Sequence, residues 1–182
     1  NAFSVNMSVQ SMDSQVLSNI KRDNIKLDSY IEVNKILNER GRSTKGEVIL
    51  GLPGETRESF AKGIMQLLDA GVSQICSYLL MLIYGTEFQD LDYRDEFKII
   101  RKHRIVALNF GVYEGERVFD TEEIGVANKE MSFEQYIWAR GLSFIVEIIH
   151  NSRPYHELFK YASIFGISIF EFIIRIYENI ES

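Results

Sequence analysis

The chain has 182 residues, 46% of them apolar and 25% charged, a balance that suits one cored domain or two small ones and argues against disorder. Its net charge of −6 speaks against a nucleic-acid surface, and no apolar run reaches the roughly 18 residues that a membrane span requires. A single cysteine, Cys76, excludes an internal disulfide and fits a reducing, cytoplasmic compartment. Asn1 is not an initiator methionine and no secretory signal opens the chain, so the sequence reads as cut from something longer.

Residues 3–10 alternate strictly, with Phe3, Val5, Met7 and Val9 on one face and Ser4, Asn6, Ser8 and Gln10 on the other, which predicts a strand. The polar face fits either a cleft lining or the open side of an edge strand. Asp13 then caps a short helix that turns Val16, Leu17 and Ile20 inward and ends near Arg22, and a second helix is expected from Lys26 to Glu39, stopped by Gly41.

The next stretch, from Glu47 to Thr56, is the joint of the molecule. Val48, Ile49 and Leu50 form a strand that breaks at Gly51-Leu52-Pro53-Gly54, and Thr56 opens a helix with Glu58 in its first turn. The glycines permit a tight turn and a close backbone approach, and Pro53 stiffens it. Phe60, Ile64, Leu67 and Leu68 mark the buried helix face, and Gly71 ends it. A third strand is expected from Gln74 to Ile83, followed by the Gly85-Thr86 turn. Strand, helix, strand, helix, strand means parallel strands with their ligand-binding turns at one end of the sheet.

After Asp90 the pattern changes. Residues 93–104 are charged and mixed, 105–113 and 117–127 read as a hairpin around Glu114-Gly115-Glu116, and 132–181 read as three helices. Capping boxes open two of these helices, at Ser132/Gln135 and Ser168/Glu171, and Pro154 opens the one between.

The motifs exclude more than they assign. Gly51–Thr56 lacks the Lys-Ser/Thr of a phosphate-binding loop, and the three histidines, His103, His150 and His156, have no metal-ligand spacing. Arg101-Lys102-His103-Arg104 reads as a solvated basic face, and Glu122-Glu123 as a charge pair at a loop or strand edge. From the residues alone the chain is an α/β ligand-binding half-domain with a helical tail.

Three stretches resemble the radical S-adenosylmethionine enzymes: Ser8–Asp13 with Val16-Leu17 and Lys21-Arg22, then Ile49–Thr56, then Tyr78–Leu80 through Gly85-Thr86. They look like the fourth, fifth and sixth strands of that catalytic barrel, in order and at similar spacing, most closely in the oxygen-independent coproporphyrinogen oxidase and cobalamin-binding branches. The resemblance implies a parallel half-barrel over 1–90; the residues themselves give a connecting segment with a β-hairpin over 91–130 and a three-helix tail over 131–182. It implies a cytoplasmic oxidoreductase acting on a small-molecule substrate, with S-adenosylmethionine and a 4Fe–4S cluster, and with cobalamin in one branch. In such enzymes reductive cleavage of the cofactor gives a 5′-deoxyadenosyl radical for hydrogen abstraction.

Carried over by position, Gln10 binds the ribose hydroxyls, Arg22 pairs with the methionyl carboxylate, and Glu47 stands at a ribose-binding acid position. Ile49 packs on adenine, the Gly51, Leu52, Pro53, Gly54 and Glu55 turn borders it, and Leu79 or a neighbour adds the sixth-strand contact. The family's Cys-x3-Cys-x2-Cys loop has no counterpart here, so the stretch by itself is expected to be inactive. The competing readings are a non-enzymatic α/β module whose helical tail docks a partner and, more distantly, a hydrolase or transferase built on the Gly51–Thr56 turn. Half a barrel also exposes two strand edges, to be covered by the hairpin, by the helices or by a second copy of the chain.

Overall fold

The computed structural model describes residues 5–24 and 27–180. The expected strand residues Phe3 and Ser4, the helix start at Lys26 and the last expected helical residue, Glu181, lie outside them. Three parallel strands, β1 (Val5–Gln10), β2 (Thr44–Leu50) and β3 (Gln74–Leu79), form one sheet in the order β1-β2-β3. Helices α1 (Ser14–Asn19) and α2 (Leu27–Glu39) connect the first pair, and α3 (Arg57–Asp69) the second. The expected caps form. Asp13 Oδ1 accepts from the amides of Gln15 and Val16 at 2.9 and 3.1 Å. Thr56 makes a reciprocal box with Ser59, whose hydroxyl accepts from the Thr56 amide at 2.9 Å.

Along β2, burial alternates residue by residue. Val48 and Leu50 face α3 and the main core, while Lys45, Glu47 and Ile49 face the half-open side, the period-two rule for a strand. β3 stops at Leu79, short of the expected Ile83. β2 turns away at Gly51; the Leu80 amide still donates to Leu50 O at 3.2 Å, but Leu80 O, Met81 and the Leu82 amide find their partners in the next sheet.

That second sheet is an antiparallel ribbon of β4 (Ile100–Tyr113) and β5 (Glu116–Ala127), preceded by a single 3₁₀ turn (Glu87–Gln89) and by α4 (Leu91–Glu96). Glu114 and Gly115, at φ of 51° and 88°, make the two-residue turn that suits the twist of a hairpin. β4 begins five residues earlier than the alternation indicated. Both faces of the ribbon are largely in water, so no apolar period marks Arg101–Arg104; cross-strand charge does, with Arg101 on Glu123 and Arg104 on Glu122. The ribbon base is tied to the first sheet: the Gly125 amide donates to Leu80 O and the Leu82 amide to Glu123 O, both at 2.9 Å.

The C-terminal helices are α5 (Phe133–Val146), continued by one π-helical stretch (Glu147–Asn151), α6 (His156–Ile164) and α7 (Ile169–Ile180). Ser132 and Gln135 close the expected capping box of α5. Wider π geometry turns consecutive residues toward the sheet. Asn151 both donates to Ile75 O and accepts from the Ile75 amide, at 2.8 and 2.9 Å, as a neighbouring strand would. One core joins these helices to the sheet, from Val9, Leu50 and Ile64 to Tyr136, Leu142, Phe159 and Ile173.

Candidate functional site

The half-open face of the parallel sheet carries a polar network. Lys45 Nζ lies 2.7 Å from Glu47 Oε1 and 3.0 Å from the Tyr78 hydroxyl, which itself donates to Glu47 Oε1 at 3.3 Å. The Lys45 bond, foremost, holds the Glu47 carboxyl below its usual range, and the same bond raises the lysine. Glu47 is therefore a half-buried, ionised acceptor at neutral pH. Beside it the Gln10 amide donates to the Ser8 hydroxyl. Gln10 owes this placement to a bulge: Ser8 pairs with Glu47 but Gln10 with Val48, so two residues of β1 advance against one of β2. Its φ of 59° is left-handed, a strained geometry for glutamine and of the kind found at ligand sites.

Ser8, Gln10, Glu47, Ile49 and Tyr78 line one cavity of about 310 Å³ at the C-terminal ends of the strands, closed on one side by Leu80, Met81 and Phe88 and reached by Arg104 of the ribbon. Its walls combine an apolar flank with a carboxylate, a carboxamide, a hydroxyl and a phenol, the donor set that suits a ribose joined to a flat ring. Leu79 borders the cavity, yet it also packs against the main core; pairing of Ile49 with Tyr78 puts Tyr78 on the open face.

The Gly51–Glu55 turn does not line this cavity. Leu52 is buried with Val16, Leu80 and Leu82. Glu55, 1% exposed, folds back so that Oε2 accepts from the Gly51 amide at 3.0 Å and Oε1 from the Ser11 hydroxyl at 3.4 Å. Burial pushes its pKa up to about 8. Asn19 Nδ2 donates to Pro53 O at 3.0 Å and leaves no room for a side chain at Gly54, while Asn128 Nδ2 donates to Leu52 O at 2.9 Å. Gly51 faces Gly125 O and the Tyr136 ring. The turn thus locks β1, α1, the ribbon and α5 together directly beneath the cavity.

Arg22 is likewise outside it. It is exposed, with its guanidinium 3.4 Å from the Ser8 carbonyl, and lines a separate shallow depression with Ser14 and Asn24. Cys76 is half-buried, its thiol pushed up chiefly by burial, and no group of three or more His, Cys, Asp or Glu is set to hold a metal ion among the described residues. The sequence reading missed Lys45, Tyr78 and Ser8. The signal was present for two of them: Lys45 and Ser8 are period-two neighbours of Glu47 and Gln10 on the same face, whereas Tyr78 comes there by pairing with Ile49 across the strands.

No protein-family model matches the chain. It is 46% identical over 65 residues to the cobalamin-dependent radical SAM methyltransferase TokK of Streptomyces tokunonensis, a match covering 36% of this chain and 10% of that protein. This stretch is similar to radical S-adenosylmethionine enzymes. Over the same length it is 43% identical to the 2-(S-pantetheinyl)-carbapenam-3-carboxylate methyltransferase of Streptantibioticus cattleyicolor, again 10% of that protein. The match spans about a tenth of the length of these curated relatives. Among solved structures, Elp3 of Methanocaldococcus infernus is similar over 53% of this chain and 23% of its own, with 25% identity and a TM-score of 0.45. The radical S-adenosylmethionine methyltransferase TsrM of Kitasatospora setae is similar over 58% and 21%, with 18% identity and a TM-score of 0.44.

Proposed function

We propose that residues 1–90 are the last strands of a partial barrel in a cytoplasmic radical S-adenosylmethionine enzyme, that 91–130 connect, and that 131–182 are a helical tail closing the outside of the barrel. The observation that carries the reading is the cavity at the C-terminal strand ends, where Gln10, Glu47 and Ile49 meet. Parallel α/β folds bind ligands at that end, and the 46% match to a radical enzyme supplies the chemical class.

In this reading Glu47 accepts from the ribose hydroxyls, kept ionised by Lys45 and aimed by Tyr78. The Gln10 carboxamide adds a donor and an acceptor, and Ile49 gives adenine an apolar bed. The buried Glu55 turn holds the ends of β1 and β2 at fixed separation. Arg22 reaches the methionyl carboxylate only if α1 and the loop after it shift, since it stands at the outer side of β1. With one cysteine the stretch does not fit the cluster, whose thiolate ligands come from elsewhere in the parent, and it is inactive by itself. The chemistry that cofactor and cluster supply when bound is reductive cleavage and hydrogen abstraction from a small-molecule substrate. The two relatives above are named methyltransferases and one is named cobalamin-dependent, which favours a cobalamin-assisted methyl transfer in the parent.

The test uses a longer reading frame carrying a Cys-x3-Cys-x2-Cys loop, reconstituted anaerobically with iron, sulfide and a reductant. Release of 5′-deoxyadenosine is expected, and Gln10→Ala and Glu47→Ala are each expected to raise the KM for S-adenosylmethionine at least about tenfold. Normal KM values in both variants would move the adenosyl site elsewhere.

A further inference from the structure

The opposite end of the sheet, where β2 and β3 begin, holds a second cavity of about 460 Å³. Leu68, Val72 and Phe159 give it an apolar lining, and Arg42, Arg153 and Lys160 stand around it with His150 and His156. No aspartate or glutamate lines it, in a chain where acidic residues outnumber basic ones by 26 to 20. Cations near helix C-termini often serve as caps, and α2 and α3 both end here. That task is already done by the backbone: the Gly41 and Arg42 amides donate to Asn38 O and Leu37 O, both at 2.9 Å, and the Gly71 and Val72 amides to Leu68 O and Leu67 O at 2.9 and 3.1 Å. Among the described residues the Arg42 and Arg153 side chains form no ion pair and no hydrogen bond. Two guanidinium forks are therefore unengaged beside one cavity. Arg153 is held there at a left-handed φ of 55°, between the π-helical stretch and Pro154. Burial, joined by the nearby charge of Arg153, lowers the pKa of His150, so the imidazole is a neutral donor to Val72.

We propose that this cavity is an anion-binding site for a phosphate ester, its phosphate held by Arg42 and Arg153 and its organic body resting on Leu68, Val72 and Phe159, while Lys160 at the rim is already paired with Glu157 at 3.1 Å. Planar forks bind phosphate oxygens in pairs, and two of them match a dianion better than a single-charged carboxylate. The site lies at the far end of the strands from the Gln10–Glu47 cavity and does not depend on the function proposed for that cavity.

The probe is phenyl phosphate, followed by calorimetry and by amide NMR shifts, with phenol and benzoate as controls. Saturable shifts at Gly71, Val72 and Ser73 are expected, with phenol silent and benzoate weaker. Arg42→Gln/Arg153→Gln is expected to weaken binding about tenfold or more, while Gln10→Ala leaves it unchanged. Should the double variant melt early, Arg42→Gln alone, at an exposed residue between α2 and β2, carries the comparison. Absence of saturable binding, equal affinity in the arginine variants, or shifts centred on Gln10 and Ile49 would overturn the site. Benzoate binding as tightly as phenyl phosphate would overturn the phosphate assignment.

Discussion

Glu55→Gln should make the protein more stable in neutral and alkaline solution and leave it little changed in acid. The carboxyl is 1% exposed, and burial lifts its pKa from the ordinary 4.5 to about 8. A raised folded-state pKa contributes stability that is full below the unfolded value of 4.5 and is lost as pH rises through about 8. At pH 7 the folded protein still holds a proton that the unfolded chain has released. With about 1.36 kcal/mol for each of the roughly 2.5 units between 4.5 and 7, the cost is about 3 kcal/mol. Glutamine keeps the acceptor for the Gly51 amide and carries no proton to lose. In a chain of 182 residues, 3 kcal/mol corresponds to roughly 6–12 °C in Tm. Calorimetric melts of both proteins across the range should show a Tm difference that opens between pH 4.5 and about 8 and is flat beyond. The second amide hydrogen of glutamine adds an offset that moves the whole curve without changing its slope. A difference independent of pH would refute the buried, neutral Glu55 and with it the account of the turn.

Other outcomes follow from single contacts. Tyr30→Phe should be neutral or stabilising by up to about 1 kcal/mol in denaturant melts, because the buried Tyr30 hydroxyl makes no well-aligned hydrogen bond and has only the Asn34 side chain beside it. Asn151→Ala removes both bonds to Ile75 and should cost about 1–3 kcal/mol, with hydrogen exchange at the Ile75 amide accelerating more than at Val48. Lys45→Met should bring the Glu47 pKa back up toward the usual carboxylate range, read from the side-chain carbonyl shift in a pH titration, since the Lys45 bond is the main reason it is low. An unmoved Glu47 pKa would mean that Tyr78 and Ser8 hold the charge instead.

The parallel sheet was legible because the alternation at 3–10, the apolar run at 48–50 that breaks at Gly51, and the caps at Asp13, Thr56 and Ser132 are local signals, and each appears at or within a few residues of its expected place. The ribbon was half legible. Its turn is written in Glu114-Gly115, but its first five residues are joined by charge pairs to Glu122 and Glu123, which lie far along the chain and carry no apolar period. Most was hidden at the site. A glycine pair next to a strand end is the same text whether the turn meets a ligand or meets Asn19, Gly125 and Tyr136, and only tertiary packing decides. The gathering of Gln10, Glu47 and Ile49 on one face followed from strand parity, but the bulge at Val9 that sets Gln10 opposite Val48 has no sequence mark of its own. Arg22 could be placed near β1 by its spacing, but not on one side of it.

Titration of S-adenosylmethionine into the protein, followed by amide shifts, asks whether the strand-end cavity holds an adenosyl group. Without a cluster to chelate the methionyl end, a few hydrogen bonds and one apolar face should give a Kd of roughly 0.1–1 mM or weaker. The amides of Gln10, Glu47–Ile49 and Tyr78–Leu80 should move first and saturate together, adenosine should reproduce the pattern, and Gln10→Ala should abolish it. Shifts confined to the Arg42–Arg153 end of the sheet, or none up to several times the expected Kd, would contradict an adenosyl site on this face.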